Sequence, residues 1–128
     1  MEEVKLGNDR FTRVYVLDAK GQGNANHEYA VRSIKKERPP YKTEEEYPEY
    51  ARITFQNGPI MEAGVNGCHQ EDLLNIVLHR LQSFQSGDFR CRENAIALTK
   101  VEEALMWLNR RTKKRQDQGI EGTNVNHE

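Results

Sequence analysis

The hydrophobic period of this chain changes near residue 70, and that change limits the possible folds. Before it, apolar residues fall in short runs rich in β-branched and aromatic side chains. These are residues 11–17 (FTRVYVL), 27–35 (HEYAVRSIK) and 50–55 (YARITF), and their rough alternation predicts strands. After it, Leu74, Val77, Leu78, Leu81 and Phe84 recur at helical spacing and share one face. A second helical stripe follows, made of Ala95, Leu98, Val101, Leu105 and Leu108, with Ala97 and Ala104 beside it. The 98–101–105–108 spacing is heptad-like and suits packing against another helix.

Turn chemistry sets the boundaries. A Gly- and Asn-containing stretch at 20–26 reads as a loop, and 37–49 (ERPPYKTEEEYPE) holds three prolines and a run of acids, so it reads as an irregular loop. Asn57-Gly58 signals a tight turn, since both residues tolerate positive φ, and a short strand at 59–61 is expected to pair back. Asn66-Gly67 marks the next turn. The first helix opens with Glu71 and Asp72, where the helix dipole favours anions, and ends at Ser86-Gly87. The second runs over 92–116, with Glu93 at its start and Arg110, Arg111, Lys113, Lys114 and Arg115 at its end. The resulting class is α+β: a small antiparallel sheet followed by a helical hairpin with a long second helix. Residues 1–118 are expected to form one domain and 119–128 a polar tail.

With 128 residues the chain suits one modest core. It is 36% hydrophobic and 30% charged, which is polar for a self-sufficient globule, and such chains often gain stability by burying surface against a second copy. A net charge of −1 gives no global field toward DNA, RNA or an acidic membrane. No apolar stretch approaches the ~20 residues of a membrane span, and the start, MEEVKLGNDR, has neither the basic nor the apolar run of a signal peptide. Two cysteines, Cys68 and Cys91, make no disulfide framework. A cytosolic protein with free thiols is the expectation.

Three places carry candidate chemistry, each with a bland alternative. The basic cluster around Arg110 and Arg111 can grip phosphates, bidentately through arginine; it can equally be a solvated helix end that complements the dipole. Phe84, the last apolar residue of its helix, either closes the core or offers a face on which a base stacks, a contact worth about 1–3 kcal/mol. Asn94 either serves the helix start or reads a purine edge. Asn94 and Arg111 are 17 positions apart, about 25 Å along one helix. One small nucleotide cannot touch both within a chain. Two copies of the second helix packed antiparallel would set Phe84 and Asn94 of one subunit against Arg111 of its partner, and a two-fold dimer would hold two such pockets.

Other classes fit less well. Cys68-His69, His27, His79 and Cys91 lack the orienting third group that nucleophilic catalysis needs. There is no CxxC or HxxxH spacing for zinc and no Walker or Rossmann phosphate loop. No catalytic residue, metal or cofactor is expected. The connection at 86–91 is longer than the usual helix-turn-helix turn of about three to four residues, and the basic residues gather at a helix end, whereas a recognition helix reads bases near its start.

The second half also carries a resemblance. GPI (58–60), GVNG (64–67), EDLL (71–74), HRLQSFQSGDF (79–89), CRENAIALTKVEEALMWLNRRT (91–112) and GIEGT (119–123) together resemble the Thoeris anti-defence phage proteins, the cyclic ADP-ribose sponges. The resemblance covers residues 53–123 and is most specific over 91–112. It implies a sheet flanked by helices, assembled as dimers or as larger rings such as hexamers, in the host cytoplasm. It implies binding of cyclic ADP-ribose isomers without cleavage, and for some members cyclic di- or trinucleotides at separate sites. The family's ligand-contacting Phe, Asn and Arg fall on Phe84, Asn94 and Arg111, with Arg110 beside the last. His69 departs from a good helix cap. The competing reading is an interaction protein that blocks a host factor directly through its helical hairpin.

Overall fold

Three antiparallel ladders arrange the first half as a meander. The computed structural model describes residues 11–33 and 48–119, together with the backbone of one further strand, β1 (Glu2–Val4). β1, β2 (Thr12–Val16), β3 (Glu28–Ser33) and β4 (Glu49–Thr54) pair in sequence order. The N-terminal strand is one that the alternation of the sequence did not announce. The last two residues of the strand expected over 27–35, most of the acidic loop expected over 37–49, and the tail after Gly119 lie outside the described residues.

The period of two sorts the two faces of the sheet. Val14 pairs with Val31 and Val16 with Tyr29, which in turn pairs with Ile53. On the same face the Tyr29 ring meets Phe55 edge-on, with centroids 5.7 Å apart. The opposite face pairs Arg13 with Arg32, Tyr15 with Ala30, and Ala30 with Arg52. Ala30 is fully buried there, between its cross-strand partners Tyr15 and Arg52. The Glu49 carboxylate accepts from Arg32 Nε at 3.1 Å and from Arg52 Nη2 at 2.9 Å. Those two guanidiniums, that of Arg52 first, hold the Glu49 carboxyl below its usual range. A bulge beside Arg32 lets β4 present Glu49 to both of them.

The turn from β2 to β3 closes around one carboxylate. Asp18 accepts from the backbone N–H of His27 (3.0 Å) and of Glu28 (3.2 Å). Asn26 Nδ2 donates to the Asp18 carbonyl at 2.8 Å. Between them the expected loop contains a single 3₁₀ turn, Gln22–Asn24, whose Gly23 and Asn24 take positive φ (71° and 60°), the region open to glycine and tolerated by asparagine. Desolvation pushes the Asp18 carboxyl up. The two backbone donors and nearby His27 outweigh it, so its pKa lies below the ordinary value.

The expected strand at 59–61 is instead a single helical turn, α1 (Ile60–Ala63), and Asn57-Gly58 does not close a hairpin. Gly58 (φ 88°) leads into that turn and Gly64 (φ 73°) leads out of it. Asparagine pairing then replaces strand pairing. Asn57 N–H donates to Asn66 Oδ1 (2.8 Å) and Asn66 Nδ2 returns a bond to the Asn57 carbonyl (2.7 Å). What pairs with Phe55 is Cys68, in a parallel bridge. The backbone approach is so close that a Cβ on Gly67 would stand 2.5 Å from the Phe55 carbonyl carbon.

The chain divides into two units, Met1–Gly58 with Val65–Cys68, and Pro59–Gly64 with His69–Glu128. The second is built on an antiparallel pair of helices, α2 (Gln70–Gln85) and α3 (Arg92–Asp117). α2 starts where the Asp72 carboxylate accepts the His69 N–H at 2.8 Å, the carboxylate half of a capping box, so a poor cap residue is compensated from the first turn. Leu74, Leu78, Leu81 and Phe84 of α2 and Leu98, Val101, Leu105 and Leu108 of α3 are shielded, with Leu105 the most buried at 7% exposed. Val77 departs from the expected stripe and is 43% exposed. It lies at the margin of the arc, which one partner helix is too narrow to cover.

Two outcomes test this account. Leu105→Ala should destabilise by about 2–5 kcal/mol in chemical denaturation, the usual cost of emptying a packed leucine site. Asp18→Ala should lower stability at neutral pH. A carboxyl with a depressed folded-state pKa stabilises fully above its unfolded value and stops doing so as pH falls through its folded value. Melting curves of variant and wild type should therefore converge in acid below the ordinary carboxylate range.

Candidate functional site

The apex of the hairpin gathers the aromatic and amide candidates. α2 ends at Ser86, whose N–H bonds back to the Gln82 carbonyl at 3.1 Å and whose Oγ donates to the Ser83 carbonyl at 2.8 Å. The turn that follows is fixed at α3 by Cys91, whose N–H donates to Gln85 Oε1 at 3.0 Å. Cys91 caps the new helix, its Sγ accepting from the Asn94 N–H at 3.4 Å. The sequence gives no serine or aspartate there, and the weak thiol acceptor does that work.

Phe84 and Asn94 are brought together through a residue that sequence reasoning passed over. The Phe89 ring meets Phe84 edge to face, with centroids 6.3 Å apart and planes at 82°. The Phe89 carbonyl accepts from Asn94 Nδ2 at 3.4 Å. That bond orients the amide and leaves Oδ1 as an acceptor. Phe84 and Asn94 are half-buried, whereas Phe89 is 77% exposed. The Arg80 guanidinium lies over the Phe84 ring, 5.2 Å from its centroid. Over residues 80–94 three arginines (Arg80, Arg90, Arg92) face two acids (Asp88, Glu93), so the apex is mildly cationic. It offers an aromatic surface, an oriented amide and a guanidinium, a set suited to a flat ring joined to an anionic group. The spacing of Arg80 and Phe84 was the available signal, since residues four apart on a helix touch.

Arg110 and Arg111 belong to the other end. α3 is a continuous helix of 26 residues, so its rise keeps Arg111 about 25 Å from Asn94 within one chain. Arg111 is exposed. Arg110 has its guanidinium 5.3 Å from the centroid of the Trp107 ring, a cation–π contact. Trp107, itself 59% exposed, lines a groove of about 550 Å³ with Leu108, Ala104, Gln70, Leu73 and Leu74. The structure thus brings Phe84 to Asn94 and does not bring either of them to Arg110 or Arg111 of the same chain. Neither Trp107 nor the groove was singled out from the sequence, although Trp107 and Arg110 are three apart.

This hairpin is what known proteins share with the chain. A family model described as Acb2/Tad1, hairpin domain, matches residues 47–113, just over half of the chain. The chain belongs to the Acb2/Tad1 hairpin-domain family. Thoeris anti-defense 1 of Bacillus phage SBSphiJ7 is 58% identical over 73 residues, 57% of this chain and 51% of that protein. The chain therefore spans about half the length of the curated relative it matches. The Acb2/Tad1 segment contains Phe84, Asn94, Arg110 and Arg111, and with them Arg80, Phe89 and Trp107. Among the described residues, no cluster of three or more His, Cys, Asp or Glu is disposed to hold a metal ion, and no helix is long and apolar enough to cross a membrane.

The geometry of the apex can be checked directly. Asn94→Ala removes the donor to the Phe89 carbonyl and an N3 side chain, while the Cys91 cap keeps its backbone partner. Its expected cost in global stability is within about 0.5–1.5 kcal/mol, the range of one ordinary hydrogen bond. The Phe89 ring should become more mobile, read as averaging of its NMR resonances.

Proposed function

We propose that this protein is a phage anti-defence protein that binds and sequesters cyclic ADP-ribose-type signalling nucleotides in the host cytoplasm, without cleaving them, and so blocks Thoeris immunity. The observation that supports this reading is that Phe84 and Asn94 meet at the apex of the hairpin while Arg110 and Arg111 lie toward the far end of α3. Phe84 and Asn94 suit adenine and its ribose, and Arg111 with Arg110 suits the two phosphates. A cyclic nucleotide is far smaller than the ~25 Å that separates them.

A second copy resolves this. With two hairpins antiparallel about a two-fold axis, the apex of one subunit meets the basic end of the other, and each dimer holds two equivalent pockets. Composition favours the pairing. Among the described residues, Leu105 is the one strongly buried apolar side chain of the hairpin, while Ile76, Val77, Ile96, Met106 and Trp107 are substantially exposed. The charge pattern of α3 favours it too, since Glu93 at its start would face Arg110 and Arg111 of the partner. A dimer, or a hexamer built from dimers, satisfies this geometry, and cyclic di- or trinucleotides would bind elsewhere on such an assembly. The name of the relative, Thoeris anti-defense 1, supports the biological role. Sequestration suits these residues because binding uses stacking, an amide and guanidiniums, none of which has to pass a proton.

The decisive assay is depletion and release. Purified protein is mixed with cyclic ADP-ribose isomers, filtered away and heated, and the eluate is chromatographed. Intact ligand from the protein fraction is the expected result. A changed product would mean catalysis, and failure to deplete any isomer would favour direct blockade of a host protein through the hairpin. Arg111→Ala should weaken binding by about 1.5–3 kcal/mol, the usual worth of a hydrogen bond to a charged group. An unchanged affinity would remove Arg111 from the site.

A further inference from the structure

The apex contains a guanidinium that the ligand set above leaves unused. Arg80 is exposed, sits four residues before Phe84 on the same face of α2, and places its planar head over the Phe84 ring at 5.2 Å from the centroid. Among the described residues no carboxylate pairs with it, although Asp and Glu make up 20 of the 128 residues. Phe89 already meets the Phe84 ring edge-on. A base cannot stack on the face that Arg80 covers unless that side chain moves.

We propose that Arg80 is a specificity-determining residue, a lid over the Phe84 platform that takes the base between its guanidinium and the ring. This rests on the reading that the apex receives the base of a cyclic nucleotide. Arginine fits the task where lysine does not. Its flat, delocalised head stacks on a base as well as on phenylalanine, and its N–H edges remain free to reach a phosphate beside the base. The contact of Arg80 with the Phe84 ring is then the closed position of the lid. It shields one face of a half-buried ring from water until a second flat, electron-rich surface replaces it. The ligand class selected is a purine joined to at least one phosphate. Such a ligand answers both the stack and the charge, whereas a bare nucleobase or inorganic phosphate answers only one.

The test uses the full chain and the cyclic ADP-ribose isomer that the wild-type protein depletes, with adenosine and inorganic phosphate as partial probes. Arg80→Ala should bind the isomer about 10- to 100-fold more weakly, the range expected when a charged hydrogen bond is lost. Its salt dependence should be shallower than that of wild type. Arg80→Lys should restore the salt dependence but not the full affinity. Arg80 is exposed, so circular dichroism and melting should be unchanged in both variants. The Arg80 Nε–H resonance, shifted by the Phe84 ring in the free protein, should move on addition of the isomer and stay in place with inorganic phosphate. Wild-type affinity in Arg80→Ala would overturn this inference and leave the sponge reading standing. Failure of the wild-type protein to bind any isomer or adenosine would overturn both.

Discussion

Packing of α2 against α3 is the constraint on which the candidate site depends. A leucine-rich stripe on each helix closes around Leu105, and the antiparallel direction follows from the short connection between them. That connection is held by three bonds that start at the ends of the helices: Cys91 to Gln85, Asn94 to Cys91 and Asn94 to Phe89. Because the turn is fixed, Phe84 and Asn94 share the apex. Because α3 does not break over 26 residues, Arg110 and Arg111 of the same chain cannot join them. The fixed turn and the unbroken helix thus bring two of the candidate residues together and keep the other two of the same chain apart.

The same rigidity explains how such a chain would work as a binder. A sponge must hold its ligand tightly without turnover, and tight binding is favoured by groups already in place. Asn94 has its amide oriented by the Phe89 carbonyl, and Phe84 has its ring fixed by Phe89 and covered by Arg80. At the opposite end Arg110 rests on Trp107 beside an apolar groove. Each end thus carries an arginine laid on an aromatic ring, four residues before it in one case and three after it in the other. Both arrangements keep a cation near the surface with its flat head already oriented.

The sheet unit is organised by polar closure more than by apolar mass. Val16 and Ala30 are its buried apolar residues among those described, and much of its order comes from Asp18 collecting two backbone N–H groups and from Glu49 holding Arg32 and Arg52. Cross-strand pairing of Arg13 with Arg32 sets like charges opposite each other, which is unfavourable unless a carboxylate stands near. The bulge in β4 brings Glu49 to that place. A chain with a mean hydropathy of −0.91 has few apolar residues to spend on two units, and carboxylate-centred networks make up part of the difference.

How much of this was legible in the sequence follows from the range of each interaction. Periodicity is local, so β2, β3, β4, both long helices and the α+β class could be read directly. So could the 17-residue gap between Asn94 and Arg111, since helical rise depends on nothing outside the helix. The resemblance added the family, which the match over residues 47–113 bears out. The strand expected at 59–61 failed because Asn57-Gly58 specifies backbone freedom and not direction. Direction was decided by Asn66, nine residues on, and by the Phe55–Cys68 bridge. Val77 was misjudged because the width of a buried arc depends on the partner that covers it. Phe89 escaped notice because a turn residue carries no periodic signal, and Arg80 because its one signal, a spacing of four from Phe84, is not a hydrophobic one. Sequence alone determined which residues lie on which helix face and how far apart they are. Only the tertiary structure decided which rings, amides and guanidiniums meet at the apex, because those contacts depend on how one turn closes.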